Sequence, residues 1–172
     1  MHTSPTGVAG RGTINNCANG HTLWGTNITC EENWAGYFRR DNSGAGSDNA
    51  ARSARELTAL QRYGVTSTIG NYAWTTATPS DERCVEIDPY NPAAAPRKRT
   101  ALGRFAHEGA WFGKLTAGQK PAVYLGDDSR NEYFYKFVSA ANWDAADAAS
   151  ADRLAVGDKY LDAGTLYVAK FL

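Results

Sequence analysis

Four short stretches of this chain concentrate side chains able to hold ions or move protons. The first is Asn15-Asn16-Cys17-Ala18-Asn19-Gly20, where small polar neighbours leave a cysteine sulfur accessible to a metal. The second, Thr29-Cys30-Glu31-Glu32-Asn33, sets two glutamates side by side. Strand geometry sends them to opposite faces, so only one of Glu31 and Glu32 can point at a given site. The third, Arg104-Phe105-Ala106-His107-Glu108-Gly109-Ala110, pairs an imidazole with a carboxylate that could ligate a metal or serve as acid and base. Gly109 would let the backbone pass close to a bound ion. The fourth, Gly126-Asp127-Asp128-Ser129-Arg130-Asn131-Glu132, places Asp127, Asp128 and Glu132 between two apolar strands. Hard oxygen ligands at a strand end suit Ca²⁺.

Each stretch also has an ordinary reading. Cys17 fits a small half-buried cysteine, paired glutamates fit a solvated edge, and His107-Glu108 fits a surface turn. Gly-Asp-Asp is common hairpin-turn chemistry. The chain has no CxxC pair, HExxH, Walker loop or GxSxG, and His2, His21 and His107 fall at no ligand spacing.

The elements that must position these residues are mostly short strands. Residues 11–33 read as two strands around a turn, with Asn15 to Gly20 as the turn and Leu23 to Cys30 as the second strand. Residues 41–49 read as a loop. Asn49 to Tyr63 reads as a helix, with Leu57 and Leu60 at helical spacing and Gly64 placed as its cap. Strand-and-turn texture then resumes: Arg83 to Ile87, Arg99 to Phe105, Glu108 to Leu115, Pro121 to Leu125, Glu132 to Ser139 and Thr165 to Phe171. Residues 93–96 form a Pro/Ala linker. Residues 140–158 are rich in Ala and Asp with no clear apolar face, and are expected as an exposed excursion. The rhythm predicts an all-β fold of the sandwich or propeller kind.

Length and composition agree. With 172 residues, 42% hydrophobic and 21% charged, the chain can bury one domain core. Gly 17, Trp 5 and Tyr 9 suit tight turns and strands. Lys+Arg 18 balances Asp+Glu 18, so no net field draws nucleic acid or an anionic membrane. No apolar run approaches membrane-spanning length. Three cysteines, Cys17, Cys30 and Cys84, leave room for one bridge or for a thiolate ligand. No export signal is visible.

Longer words in the sequence carry a family resemblance. Gly12-Thr13-Ile14-Asn15-Asn16-Cys17-Ala18-Asn19-Gly20, Trp24-Gly25-Thr26 and Thr29-Cys30-Glu31-Glu32-Asn33 resemble the N-terminal half of the PhoX alkaline phosphatases. So do Glu86-Ile87-Asp88-Pro89-Tyr90, Lys98-Arg99-Thr100-Ala101-Leu102-Gly103-Arg104-Phe105 and His107-Glu108-Gly109-Ala110. Tyr124-Leu125-Gly126-Asp127-Asp128 through Ser139, and Gly164 to Phe171, continue the match in family order.

The resemblance implies a β-propeller, here a partial one over residues 1–172 cut at both ends relative to the family. It implies a monomeric phosphomonoesterase, periplasmic or secreted, that uses iron and calcium. Carried over by motif, Cys17 would be the thiolate ligand of Fe³⁺. Glu32, with Glu31 as its rival, would be a further ligand, and Glu108 would bind or bridge metal in the catalytic centre. Asp127 or Asp128, with Glu132, would take Ca²⁺. Cys17 would stay out of any disulfide. Two departures stand out: Leu23 replaces a proline before Trp-Gly-Thr, and a later Arg-Pro-Glu-Asp segment that supplies phosphate-binding groups has no counterpart. About half the site is therefore expected here, with weak or no turnover. The alternative is a non-enzymatic, metal-keeping propeller module that binds a phosphorylated or sugar ligand. A truncated or degenerate frame whose product does not fold stably is a third reading.

Overall fold

Asn27–Glu31 alternates apolar and polar residues, and it folds as a strand that buries Ile28 and Cys30. The computed structural model describes residues 2–4, 8–9, 12–13, 15–32 and 83–171. All of these belong to one compact unit, Met1–Glu32 with Ser80–Leu172. The helix expected at 49–63 lies outside the described residues, as do the loop at 41–49 and the texture of residues 65–82.

In chain order the strands are β1 His2–Ser4, β2 Val8–Ala9, β3 Asn16–His21, β4 Asn27–Glu31, β5 Cys84–Ile87 and β6 Arg97–Arg99. Then come β7 His107–Phe112, β8 Ala122–Asp127, β9 Phe134–Ser139 and β10 Gly164–Val168. Two sheets result. The first runs β2-β1-β6-β5-β4-β3, antiparallel except where β1 lies parallel to β6. The second is a four-stranded antiparallel meander, β10-β9-β8-β7.

The sheets meet where β3 faces β7. A Cβ on Gly20 would lie 1.8 Å from the carbonyl oxygen of Ala110, so only glycine lets the two backbones approach this closely. The core fills the space behind this contact. Trp24 packs edge-on against Phe112 at 5.3 Å and stacks with Trp143 at 5.9 Å, above buried Leu125 and Phe137.

Several expectations need correction. Asn15 to Gly20 is not mainly a turn: most of it is β3, a polar strand on the sheet edge whose outward side chains hide its strand character from hydropathy. Leu23 to Gly25 is not strand but a tight turn, closed by Gly25 N donating to Thr22 O at 3.2 Å. Leu23 is its second residue and is exposed, so the leucine in place of proline touches only the turn. Strand structure ends at Arg99, and Thr100–Leu102 is a single 3-10 turn.

The stretch 140–158 is not an exposed excursion. Ala145–Ala149 is a 3-10 turn, and Arg153–Leu161 is α1, the one α-helix among the described residues. The Asp152 side chain caps α1 by accepting from Ala155 N at 3.1 Å. Leu154, Val156, Tyr160 and Leu161 of α1 are buried. That apolar face straddles the 158 boundary, which is why half of it looked featureless. Gly157 admits the buried ion pair of Glu86 and Arg99, since a Cβ there would lie 2.1 Å from Glu86 Oε2. Among the described residues no helix is long and apolar enough to cross a membrane.

Candidate metal centre

Two interruptions of regular pairing aim the central side chains. The β3–β4 register shifts between Asn16 and Asn19, and Cys17 sits in that bulge. The β7–β8 register shifts between His107 and Ala110, and Glu108 sits in that one. Gly109 follows with φ +101, a conformation other residues adopt only under strain. Bulges re-aim a side chain out of the strict in-out alternation, and they are frequent beside active sites. Glu32 arrives from the end of β4, where its N–H donates to Asn15 O at 3.1 Å. Asn15 itself has φ 48, which asparagine tolerates better than most residues.

Cys17, Glu32 and Glu108 converge. One potential ligand atom from each lies within 4.8 Å of the other two. Cys17 lies on β3 and Glu32 just past the neighbouring β4, whereas Glu108 comes from β7 in the other sheet. The donors are one sulfur and two carboxylates, with Cys17 and Glu108 exposed and Glu32 buried.

The electrostatics of the group are those of too much negative charge in one place. The Cys17 thiol is pushed up to about 11, first by its hydrogen bond to the Glu32 carboxylate, then by the charges of Glu108 and Glu32, with Asp128 contributing. The Glu108 carboxyl is raised by partial burial and by the charges of Glu32 and Asp128, against an opposing hydrogen bond from Cys17. The carboxylates disfavour ionisation of Cys17, and Glu32 and Asp128 disfavour ionisation of Glu108. A bound cation would reverse those shifts, so the donor set fits a metal ion in both chemistry and charge.

The remaining candidates divide. Asp128 acts on both Cys17 and Glu108, and its N–H is anchored to Ala106 O at 3.0 Å. Asp127 turns back on its own loop, accepting from Ser129 N at 3.1 Å. Asp127 and Glu132 both act on the Tyr135 hydroxyl, which is raised by burial first and then by their charges. The structure does not gather these two with the trio. Glu31 is likewise elsewhere: its carboxylate is buried against Lys98 Nζ at 2.9 and 3.0 Å and accepts from Arg83 N at 2.9 Å. The alternation of β4 thus separates the two glutamates as strand geometry requires, with Glu32 on the site side.

His107 is not in the cluster either. It is fully buried, with Nε2–H donating to Gly103 O at 3.3 Å and Nδ1 facing Cys84 Sγ at 3.5 Å. Burial, with help from the Arg83 charge, pulls it down to about 3, so it is a neutral imidazole at physiological pH. The supports that sequence reasoning missed are Lys98 and Arg83, which hold the backbone before Glu32. A basic residue on a short strand carries no signal that it will be buried.

By fold and site, this is a mostly β protein with a candidate thiolate–carboxylate metal centre at the junction of two sheets. The chain belongs to the PhoX family: the family model described as alkaline phosphatase PhoX matches residues 1–172. It is also similar to a solved structure described as Pseudomonas fluorescens PhoX in complex with vanadate, a transition state analogue. The identity is 38% and the TM-score 0.64, over 100% of this chain and 29% of that one. The chain therefore spans under a third of the length of that relative. No curated protein matches the chain significantly.

Proposed function

We propose that residues 1–172 build part of the active centre of a phosphomonoesterase, with Cys17, Glu32 and Glu108 holding ions of a cluster of Fe³⁺ and Ca²⁺. The observation that carries this reading is the convergence of those three side chains within 4.8 Å, in a chain of the PhoX family. The vanadate complex of the P. fluorescens relative supports a phosphoryl-transfer site in the family, because vanadate was bound there as a transition state analogue.

When bound, the ions would supply positive charge to the phosphoryl oxygens as the P–O bond breaks. The chain's own residues divide the work of holding them. Cys17 offers the soft donor suited to iron, and Glu32, locked by burial, offers a hard oxygen of fixed direction. Glu108 is exposed, so its carboxylate can bind metal and still reach a ligand, which makes it the candidate for direct contact with substrate. Asp128, close enough to act on both Cys17 and Glu108, would complete the hard-ion side, with Asp127 and Glu132 as outer candidates. Each four-stranded antiparallel set, β3–β6 and β7–β10, has the form of a propeller blade, which supports a propeller with this junction facing its channel. We expect slow turnover from residues 1–172 by themselves, because they match only 29% of the length of the P. fluorescens relative.

The test is metal content and p-nitrophenyl phosphate hydrolysis, measured on the chain loaded with iron and calcium and on a version extended by further family sequence. Cys17→Ser should lose iron, and Glu32→Gln and Glu108→Gln should lose at least ten-fold in metal affinity. Metal content unchanged in all three variants would overturn the site. Equal turnover by the chain and the extended version would overturn the partial-site reading.

A further inference from the structure

Cys30 and Cys84 sit behind the metal centre and have no part in it. They are direct cross-strand partners in the antiparallel pair β4–β5. The Glu31 N–H donates to Arg83 O at 3.2 Å, so Glu31 and Arg83 occupy a hydrogen-bonded position. Cys30 and Cys84 therefore occupy the adjacent non-hydrogen-bonded one, where opposed Cα atoms come within about 4.5 Å and side chains are closest. That spacing falls inside the range a disulfide requires. Both side chains point into the core, neither exposes any surface, and the sulfurs face one another at 3.5 Å. Bonding needs the sulfurs to close from 3.5 Å to about 2.05 Å.

We propose that Cys30 and Cys84 are a disulfide-forming pair, and that their bridge is a covalent strap across the base of the metal centre. Cys30 stands two residues before Glu32, so the bridge fixes the strand end that delivers Glu32 to Cys17 and Glu108. The two cysteines are 54 positions apart, and the bridge also closes the chain segment between them into a loop. The site is specific to this pair. Cys17 is exposed, lies in the bulge of the neighbouring strand, and has the Glu32 carboxylate for its hydrogen-bond partner.

The oxidant is an organic disulfide, the class to which oxidised glutathione and the active sites of thiol oxidases belong. One cysteine attacks it, forming a mixed disulfide and releasing one thiol. The second cysteine attacks that sulfur, forming the Cys30–Cys84 bond and releasing the second thiol. Two electrons and two protons pass from the pair to the two departing thiols. Because both sulfurs are sealed in the folded chain, the exchange takes place during folding, before the core closes.

The experiment uses the full chain, refolded from the reduced state in a buffer of oxidised and reduced glutathione. The soluble protein is denatured, free thiols are alkylated, and non-reduced peptides are mapped by mass spectrometry. A peptide joining Cys30 to Cys84, with Cys17 outside the bridge, is expected. Recovery of Cys30 and Cys84 as alkylated thiols, or a bridge that includes Cys17, would overturn the pairing. A Cys17→Ser chain provides the check against disulfide scrambling and should give the same linked peptide. Melting of the bridged chain is then compared with the same chain folded under a non-thiol reductant. The bridged form should melt higher by on the order of ten degrees. Equal melting would overturn the role of the bridge as a strap.

Discussion

Lys98 Nζ lies 2.9 Å from one oxygen of Glu31 and 3.0 Å from the other, and neither side chain exposes any surface. This pair sits one residue from Glu32. Removing one partner of a buried pair leaves an uncompensated charge, which costs about 3–5 kcal/mol, whereas removing both is often close to neutral. Lys98→Met is therefore expected to lower the melting temperature by roughly ten degrees and weaken cation binding. Adding Glu31→Gln should restore much of both. Thermal denaturation of the single and double variants decides it: a double variant no better than Lys98→Met would mean that the pair is not what supports this edge.

Gly20 sets the distance between the sheets. A methyl group there would meet the Ala110 carbonyl oxygen at 1.8 Å, and backbone cannot rotate aside as a side chain can. Gly20→Ala should cost about 1–3 kcal/mol through overpacking. Because β3 carries Cys17 and β7 carries Glu108, the same substitution should separate the two and reduce cation affinity. Calorimetric titration with Ca²⁺ checks the second effect, and an unchanged affinity in a destabilised protein would show that the centre tolerates the shift.

Two strands after residue 83 were legible nearly whole, since the expected Glu108 to Leu115 and Glu132 to Ser139 differ from β7 and β9 only at their ends, whereas the strand expected at Arg99 to Phe105 overlaps β6 only at Arg99. Cys17 was legible as a candidate, but not as a strand residue. What places it is a bulge in a polar edge strand, and neither bulges nor edges leave a hydropathy pattern. The choice between Glu31 and Glu32 had to stay open, since alternation says that they diverge but not which way the strand faces. That depends on Lys98, a partner 67 positions away. Asp127 and Asp128 pose the same problem, and the sequence does not show that the hairpin turn bends Asp127 back to Ser129.

His107 gives the protein an acid-sensitive element. Its folded value of about 3 lies below the ordinary histidine range, with burial as the main cause. A group depressed in this way binds fewer protons folded than unfolded between about pH 3 and 6.5, so stability rises with pH across that window and is lost as pH falls through it. Each unit within the window costs up to about 1.4 kcal/mol. His107→Gln keeps a donor for Gly103 and cannot ionise, so its stability should fall less steeply between pH 6.5 and 4. Urea denaturation of both proteins across that range checks this, and parallel acid limbs would show that His107 is not the group responsible.

The Cys17–Glu32 contact makes the last prediction, which concerns the metal-free chain. The Cys17 thiol there is held up at about 11, chiefly because it donates to the Glu32 carboxylate and because Glu32 and Glu108 oppose a third negative charge. Glu32→Gln removes one charge and leaves a weaker acceptor, so the thiol should ionise at a lower pH. Glu108→Gln also removes a charge but should move the thiol less, because the Glu32 hydrogen bond is the largest influence on it. Added Ca²⁺ should shift the wild-type thiol in the same downward direction, because a cation favours thiolate. The rate at which iodoacetamide alkylates Cys17, located by peptide mass spectrometry and followed as pH is raised, reads all three shifts on one scale. Cys30 and Cys84 are buried and Cys17 is exposed, which leaves Cys17 as the thiol open to the reagent. A Glu32→Gln chain whose thiol titrates at or above the wild-type value would mean that Cys17 and Glu32 do not meet in solution. The proposed ligand set would then lose the contact on which it is built.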